Sequence, residues 1–167
     1  IINAHNCHRF QANDDISGCA LGIKVIESLK SIKKLNYSYR LIIAPELFGP
    51  MFWLKKLERD KQNFVGTILL KSIGNRNKIK LQNSFKKNTS LDKSFEYTLQ
   101  KKFKKYTKGD FRTIYGNDET VFEAPGYSIP SISLTRFPFR EYHTDLDKPE
   151  ILSEKSLDET FDLILKS

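Results

Sequence analysis

Residues 1–23 read Ile1-Ile2-Asn3-Ala4-His5-Asn6-Cys7-His8-Arg9-Phe10-Gln11-Ala12-Asn13-Asp14-Asp15-Ile16-Ser17-Gly18-Cys19-Ala20-Leu21-Gly22-Ile23, and they change character twice. Ile1–Ala4 is a short apolar run, which predicts a buried strand. His5–Asp14 is polar and rich in groups able to hold a metal, which predicts a loop. From Asp15 onward Ile16, Cys19, Ala20, Ile23, Ile26 and Ile32 recur near the helical period, with Asp14 or Asp15 at the helix N-terminus. Gly18 and Gly22 fall on or near the apolar face, where missing side chains let a sheet come close.

The same alternation continues outward. Tyr39–Ala44 is a strand-like run ended by Pro45, which cannot donate to a sheet ladder. A short helix is predicted over Gly49–Leu57, a strand over Phe64–Leu70 and an edge strand over Lys78–Gln82. Leu91, Phe95, Leu99 and Phe103 are spaced for a helix over Ser90–Tyr106, and Ile129–Leu134 is the next strand. Ser156-Leu157-Asp158-Glu159 fits a capping box opening a last helix. Strands alternating with helices predict an α/β fold, a three-layer α/β/α sandwich with a mostly parallel central sheet. No internal repeat is visible, and Lys/Asn-rich stretches are confined to residues 75–88 and 101–108.

Composition narrows the class. A chain of 167 residues has room for one domain with one core. Twelve Phe, seven Tyr and one Trp argue against disorder. No apolar run is long enough for a transmembrane helix. Two cysteines make no disulfide scaffold, so a reducing compartment, the cytoplasm, is expected. The net charge of +8 comes mostly from Lys rather than Arg, the preferred fork for bases and phosphates, so a nucleic-acid partner is not expected. Lys101-Lys102 and Lys104-Lys105 read as a solvated helix face around Phe103. The chain starts on an apolar run without Met or a leader, which suggests a start inside a domain.

Sites in parallel sheets lie beyond the carboxyl ends of the strands. His5 and Asp14 follow the first predicted strand, Glu46 the second and His143 the last. Each has an ordinary reading alone: a surface histidine, a helix cap, a loop carboxylate. Their shared topological position points instead to a hydrolytic zinc site, since zinc takes His nitrogen and carboxylate oxygen and leaves a position for water.

These residues lie in motifs. Ala12-Asn13-Asp14-Asp15-Ile16-Ser17-Gly18-Cys19-Ala20 resembles the A-N-D-N-x-S-G-x-A segment of zinc aminopeptidases with the leucyl-aminopeptidase-like fold, whose first Asp bridges two zinc ions. His5 takes the place of the family's H-x-D histidine, with Cys7 where the Asp would be. Gly116-Asn117-Asp118-Glu119-Thr120-Val121-Phe122 is similar to G-S-D-H-x-x-F, Gly126-Tyr127-Ser128-Ile129-Pro130 to the strand entry G-I-P, and Glu141-Tyr142-His143-Thr144 with Asp147 to Y-H-T-x-x-D. His5-Asn6-Cys7-His8, Pro45-Glu46-Leu47-Phe48-Gly49 and Asp118-Glu119 resemble more closely a bacterial aminopeptidase-like subgroup of unassigned function. Arg9 and Pro50 depart from that subgroup's pattern.

The resemblance implies a zinc-exopeptidase-like fold and metal ligands His5, Asp14, Glu46 and His143. Further strands and helices precede the His5 strand in that fold, so the chain is expected to be N-terminally truncated. A second copy or a missing N-terminal segment would then cover the exposed core. His8 is read as a loop histidine, because His5 directly follows the strand. Two departures matter. Pro45 stands where the family has its general base, which leaves Asp118 or Glu119 as candidate bases; a hydrogen-bonding role for Asp118 in orienting His143 competes with that reading. Where the family carries an Asp for its second metal this chain reads Leu70-Lys71-Ser72 with no carboxylate, so one zinc ion is expected, held by Asp14, Glu46 and His143, with a doubtful second near His5. A single-zinc set also resembles glutaminyl cyclases. The activity implied is metal-dependent cleavage of N-terminal residues from peptides or related amides. The alternatives are a single-zinc aminoacyl cyclotransferase or amidohydrolase, and a degenerate non-catalytic module.

Overall fold

The protein is described here by a computed structural model that covers residues 1–57 and 63–167. Strands β1 (Ile2–His5), β2 (Leu41–Ala44), β3 (Thr67–Lys71), β4 (Lys80–Gln82), β5 (Thr107–Gly109) and β6 (Ser131–Thr135) form one sheet in the order β2-β1-β3-β6-β4-β5. The β1/β2, β1/β3, β3/β6 and β4/β5 pairs are parallel, and β4/β6 is antiparallel. The helices are α1 (Ser17–Lys30), α2 (Phe48–Lys56), α3 (Ser90–Lys102), α4 (Glu119–Phe122) and α5 (Glu154–Lys166).

Both faces of the sheet are covered, as a parallel sheet requires. On one face Ile2, Ala4, Leu70, Leu81, Ile132 and Leu134 pack with Val25 and Leu29 of α1, Phe95 and Leu99 of α3, and Leu163 and Ile164 of α5. On the other, Ile42 and Leu69 pack with Leu54 of α2 and Val121 and Phe122 of α4. Strand periodicity explains β1: Ile2 and Ala4 enter the first core, while Asn3 points the other way and donates to Asp118 Oδ2 at 2.6 Å. The result is the expected three-layer α/β/α sandwich.

Several local expectations need correction. The inward face of α1 carries Gly18, Leu21, Gly22, Val25 and Leu29, while Ile16 and Ile23 are exposed. Close approach decides this, since a Cβ on Gly22 would stand 2.6 Å from a Leu41 methyl. Helix α3 ends at Lys102, and Thr107–Gly109 forms the edge strand expected of residues 78–82, which lie inside the sheet. The last helix starts at Glu154, where Ser153 Oγ accepts from the Ser156 N–H, so the cap lies three residues earlier than the motif suggested. No helix among the described residues is long and apolar enough to cross a membrane.

Candidate metal centre

The parallel strands end at one rim. His5 is the last residue of β1 and Lys71 the last of β3; Glu46 lies two residues past β2, and His143 follows β6. Asp14 comes from the irregular turn Ala12–Ile16 between β1 and α1. That turn is held from three sides. Asp147 accepts from the backbone N–H of Asn13 at 2.7 Å and of Asp14 at 3.0 Å. Asp15 accepts from the N–H groups of Ser72 at 3.0 Å, Gly18 at 3.2 Å and His5 at 3.4 Å, tying α1 and the ends of β1 and β3 together. A Cβ on Gly18 would lie 2.5 Å from Asp15 Oδ1, so glycine is required there. Burial drives the Asp15 carboxyl well above the usual range, against the pull of Lys71.

Asp14 is fully buried, and its two oxygens face different neighbours. Oδ1 lies 2.5 Å from Lys71 Nζ and 3.2 Å from His5 Nε2, and the same ammonium touches His5 Nε2. Oδ2 lies 3.4 Å from His143 Nε2 and 3.6 Å from His8 Nε2. Burial alone would raise Asp14, but its contacts with His5 and Lys71 outweigh burial and hold it well below the usual carboxylate range. Burial would lower Lys71, yet Asp14 and Asp15 keep it above its ordinary value. The Lys71 ammonium also sits 4.7 Å from the centre of the Tyr115 ring. The Tyr115 hydroxyl is 2.9 Å from that of Tyr142, whose ring stacks on His143 at 3.9 Å.

The histidine tautomers follow from their partners. His8 Nδ1 lies 2.8 Å from the Arg9 carbonyl, which can only accept, so Nδ1 carries a proton and Nε2 is the ring nitrogen turned towards Asp14. An ammonium can only donate, so His5 Nε2 accepts from Lys71 and the Nδ1 proton faces Cys7 Sγ at 3.3 Å. Cys7 thus meets the ring nitrogen of His5 from the position where the resemblance placed an Asp.

Two buried atoms at this point, Asp14 Oδ2 and His8 Nε2, have no hydrogen-bond partner. Buried polar groups are normally satisfied, so an orphaned carboxylate oxygen facing orphaned imidazole nitrogen is the chemistry of a cation site. Among the described residues, His8, Asp14 and His143 bring one ligand atom each to within 4.8 Å of one another, and so do His5, Cys7 and His8. The His8–Asp14–His143 donors fit zinc.

The sequence-predicted residues therefore fall into three groups. His5, Asp14 and His143 meet around the Asp14 carboxylate, with His5 on the Lys71 side. Glu46 stands outside the His8–Asp14–His143 trio, yet its charge acts on Lys71, Cys7, Tyr115 and Asp118. Asp118 and Glu119 are engaged elsewhere. Asp118 Oδ1 accepts from the Leu47 N–H and Oδ2 from Asn3, both at 2.6 Å, while both Glu119 oxygens accept from the Asn117 N–H at 2.9 Å. His8, read from sequence as a loop histidine, supplies a nitrogen to the trio. The local sequence favoured His5, which directly follows the strand; the Lys71 contact that engages His5 reverses that preference.

Glu119 yields a stability prediction. Burial lifts its pKa from 4.5 to about 7, against the Asn117 hydrogen bonds. Below 4.5 both folded and unfolded chains hold the proton; between 4.5 and about 7 only the folded chain does, so stability falls as pH rises across that window. Glu119→Gln is expected to flatten this slope and to raise stability at pH 8 by roughly 1–3 kcal/mol. Urea unfolding of both proteins at pH 4.5 and 8 measures it, and an unchanged pH slope in the variant would refute it.

The comparisons with known proteins agree with this geometry at the level of fold. The structure superimposes on a Bacillus subtilis zinc aminopeptidase with a TM-score of 0.82 at 20% identity, over 98% of this chain and 43% of that one. It matches a Porphyromonas gingivalis glutaminyl cyclase with a TM-score of 0.76 at 17% identity, over 98% of this chain and 68% of that one. The architecture is that of the aminopeptidase-like α/β proteins. The chain belongs to the family described as a domain of unknown function, DUF4910, which it matches over residues 1–167. A Clostridium acetobutylicum crystal structure, provisionally named a peptidase, shares 28% identity and a TM-score of 0.93 over 99% of this chain and 39% of that one. A curated protein of the same organism, whose description names polysaccharide biosynthesis and an aminopeptidase-like domain, is 28% identical over 99% of this chain. The chain spans 38% of that relative's length.

Proposed function

We propose that this chain carries the centre of a zinc-dependent hydrolase of the aminopeptidase type, acting on N-terminal residues of peptides or related amides. One observation carries the reading: the buried, unpartnered Asp14 Oδ2 faces the Nε2 atoms of His8 and His143 at 3.6 and 3.4 Å. Asp14, His8 and His143 form a one-carboxylate, two-imidazole set that leaves room for a further ligand. A zinc ion held there supplies an electrophile that polarises a carbonyl and brings the pKa of water towards neutrality.

The chain's own residues do the rest. The Arg9 carbonyl fixes the His8 tautomer, and Tyr142 supports the His143 ring by stacking. Glu46 accepts the proton of the attacking water and returns it to the leaving amine. It is assigned this role because its side chain has no hydrogen-bond partner among the described residues, whereas Asp118 and Glu119 are committed. Asp118 is a positioning residue, holding the backbone next to Glu46 through Leu47.

Chelation is expected to abolish release of free amino acid from aminoacyl-anilides and short peptides, and zinc to restore it. Product mass separates the chemistries: hydrolysis adds water, whereas cyclisation of an N-terminal glutaminyl residue loses ammonia. Ammonia loss alone would move the assignment to a cyclotransferase, as in the glutaminyl cyclase that shares the fold. Zinc-loaded protein that turns over neither substrate class would refute the enzymatic reading.

A further inference from the structure

We infer that the Lys71 ammonium is a resident cation filling one of two cation positions on the Asp14 carboxylate, so that the centre takes a single divalent ion. The inference rests on the proposed reading that the Oδ2 side of Asp14 binds metal. The two positions are laid out similarly. On one side Asp14 Oδ2 meets imidazole nitrogens of His8 and His143; on the other Asp14 Oδ1 meets the imidazole nitrogen of His5 at 3.2 Å. A carboxylate oxygen and an imidazole nitrogen at that separation suit a metal, and zinc would lie about 2.0–2.2 Å from each. The second position already holds Lys71 Nζ, 2.5 Å from Oδ1 and in contact with His5 Nε2.

Lys71 is not free to withdraw. It is 2% exposed and is among the largest fully buried side chains of the described residues. The Tyr115 ring covers it, with Nζ 4.7 Å from the ring centre. A divalent ion entering on the Oδ1 side would have to share a dry pocket with this ammonium or push it into packed interior, and both are strongly unfavourable. Lys71 meets Asp14 through Oδ1 alone, which leaves the metal-facing Oδ2 without a hydrogen-bond partner. This divides the histidines by role: His8 and His143 are ligands, and His5 is a positioning residue that holds Lys71.

Zinc stoichiometry tests this on the full chain, by equilibrium dialysis against buffered zinc with elemental analysis. The wild type is expected to hold one ion, and Lys71→Asp, which replaces the ammonium with a carboxylate beside His5 and Asp14, to hold two. Should Lys71→Asp fail to fold even when refolded with zinc, the histidines decide. His8→Ala is expected to weaken zinc binding by at least about tenfold, and His5→Ala by much less. Two ions in the wild type, one in folded Lys71→Asp, or equal losses from His5→Ala and His8→Ala would each overturn the inference while leaving the metal reading intact. No ion in the wild type would overturn the metal reading, and this inference with it.

Discussion

Asp14→Asn is expected to lose zinc and hydrolytic activity together and to lose stability as well, and a second substitution is expected to restore only the stability. The reasoning starts from burial. Asp14 is wholly inside the protein, and its partner Lys71 is almost so. Breaking a buried ion pair by removing one partner costs about 3–5 kcal/mol, because the other charge is left without compensation. Asp15 and Glu46 also act on Lys71, which places the expected loss towards the lower end of that range. Replacing both partners with uncharged groups of similar size is often close to neutral. Asp14→Asn with Lys71→Met should therefore unfold near the wild-type denaturant midpoint and still bind no zinc. Urea titrations alongside zinc affinity separate the two effects. A double variant that recovered metal binding would show that the Asp14 carboxylate is not a ligand.

Glu46→Gln is expected to keep the metal and lose the reaction. A positioned general base contributes typically about 10²–10⁴-fold, so kcat should fall by that factor while zinc affinity stays close to the wild-type value. The split is informative because the resemblance to zinc aminopeptidases casts Glu46 as a ligand, whereas the geometry leaves it outside the His8–Asp14–His143 trio. A ligand role predicts that Glu46→Gln loses zinc at least as severely as His143→Ala. Asp118→Asn gives the contrasting case. It weakens the acceptor of the Leu47 N–H without removing a reacting group, so it should lower activity less than Glu46→Gln and leave zinc in place.

Much of the architecture was legible in the residues. The apolar run at Ile1–Ala4, the helical period after Asp15 and the alternation of strands and helices carry an α/β sandwich because buried parallel strands and amphipathic helices have different periods. Face assignments were less legible. Ile16 and Ile23 fall on the right period yet face outward, because Gly18 and Gly22 set which side of α1 can approach the sheet. Residues 107–109 are too short and too polar to announce a strand, and they become one only through pairing with Lys80–Gln82.

The centre divides along the same line. Sequence alone determined which chemistry-bearing residues stand near strand ends, because strand direction and connection order place His5, Asp14, Glu46 and His143 at one rim; the resemblance to zinc aminopeptidases is what marked Lys71 as standing near the place of another carboxylate. Only tertiary structure decided what each atom faces: Oδ1 of Asp14 is taken by the Lys71 ammonium, Oδ2 is left unpartnered, and His8 rather than His5 has a free nitrogen beside it. The physical reason is that a side chain's position in a sequence restricts its reach, whereas its charge, tautomer and availability depend on neighbours brought from dozens of residues away.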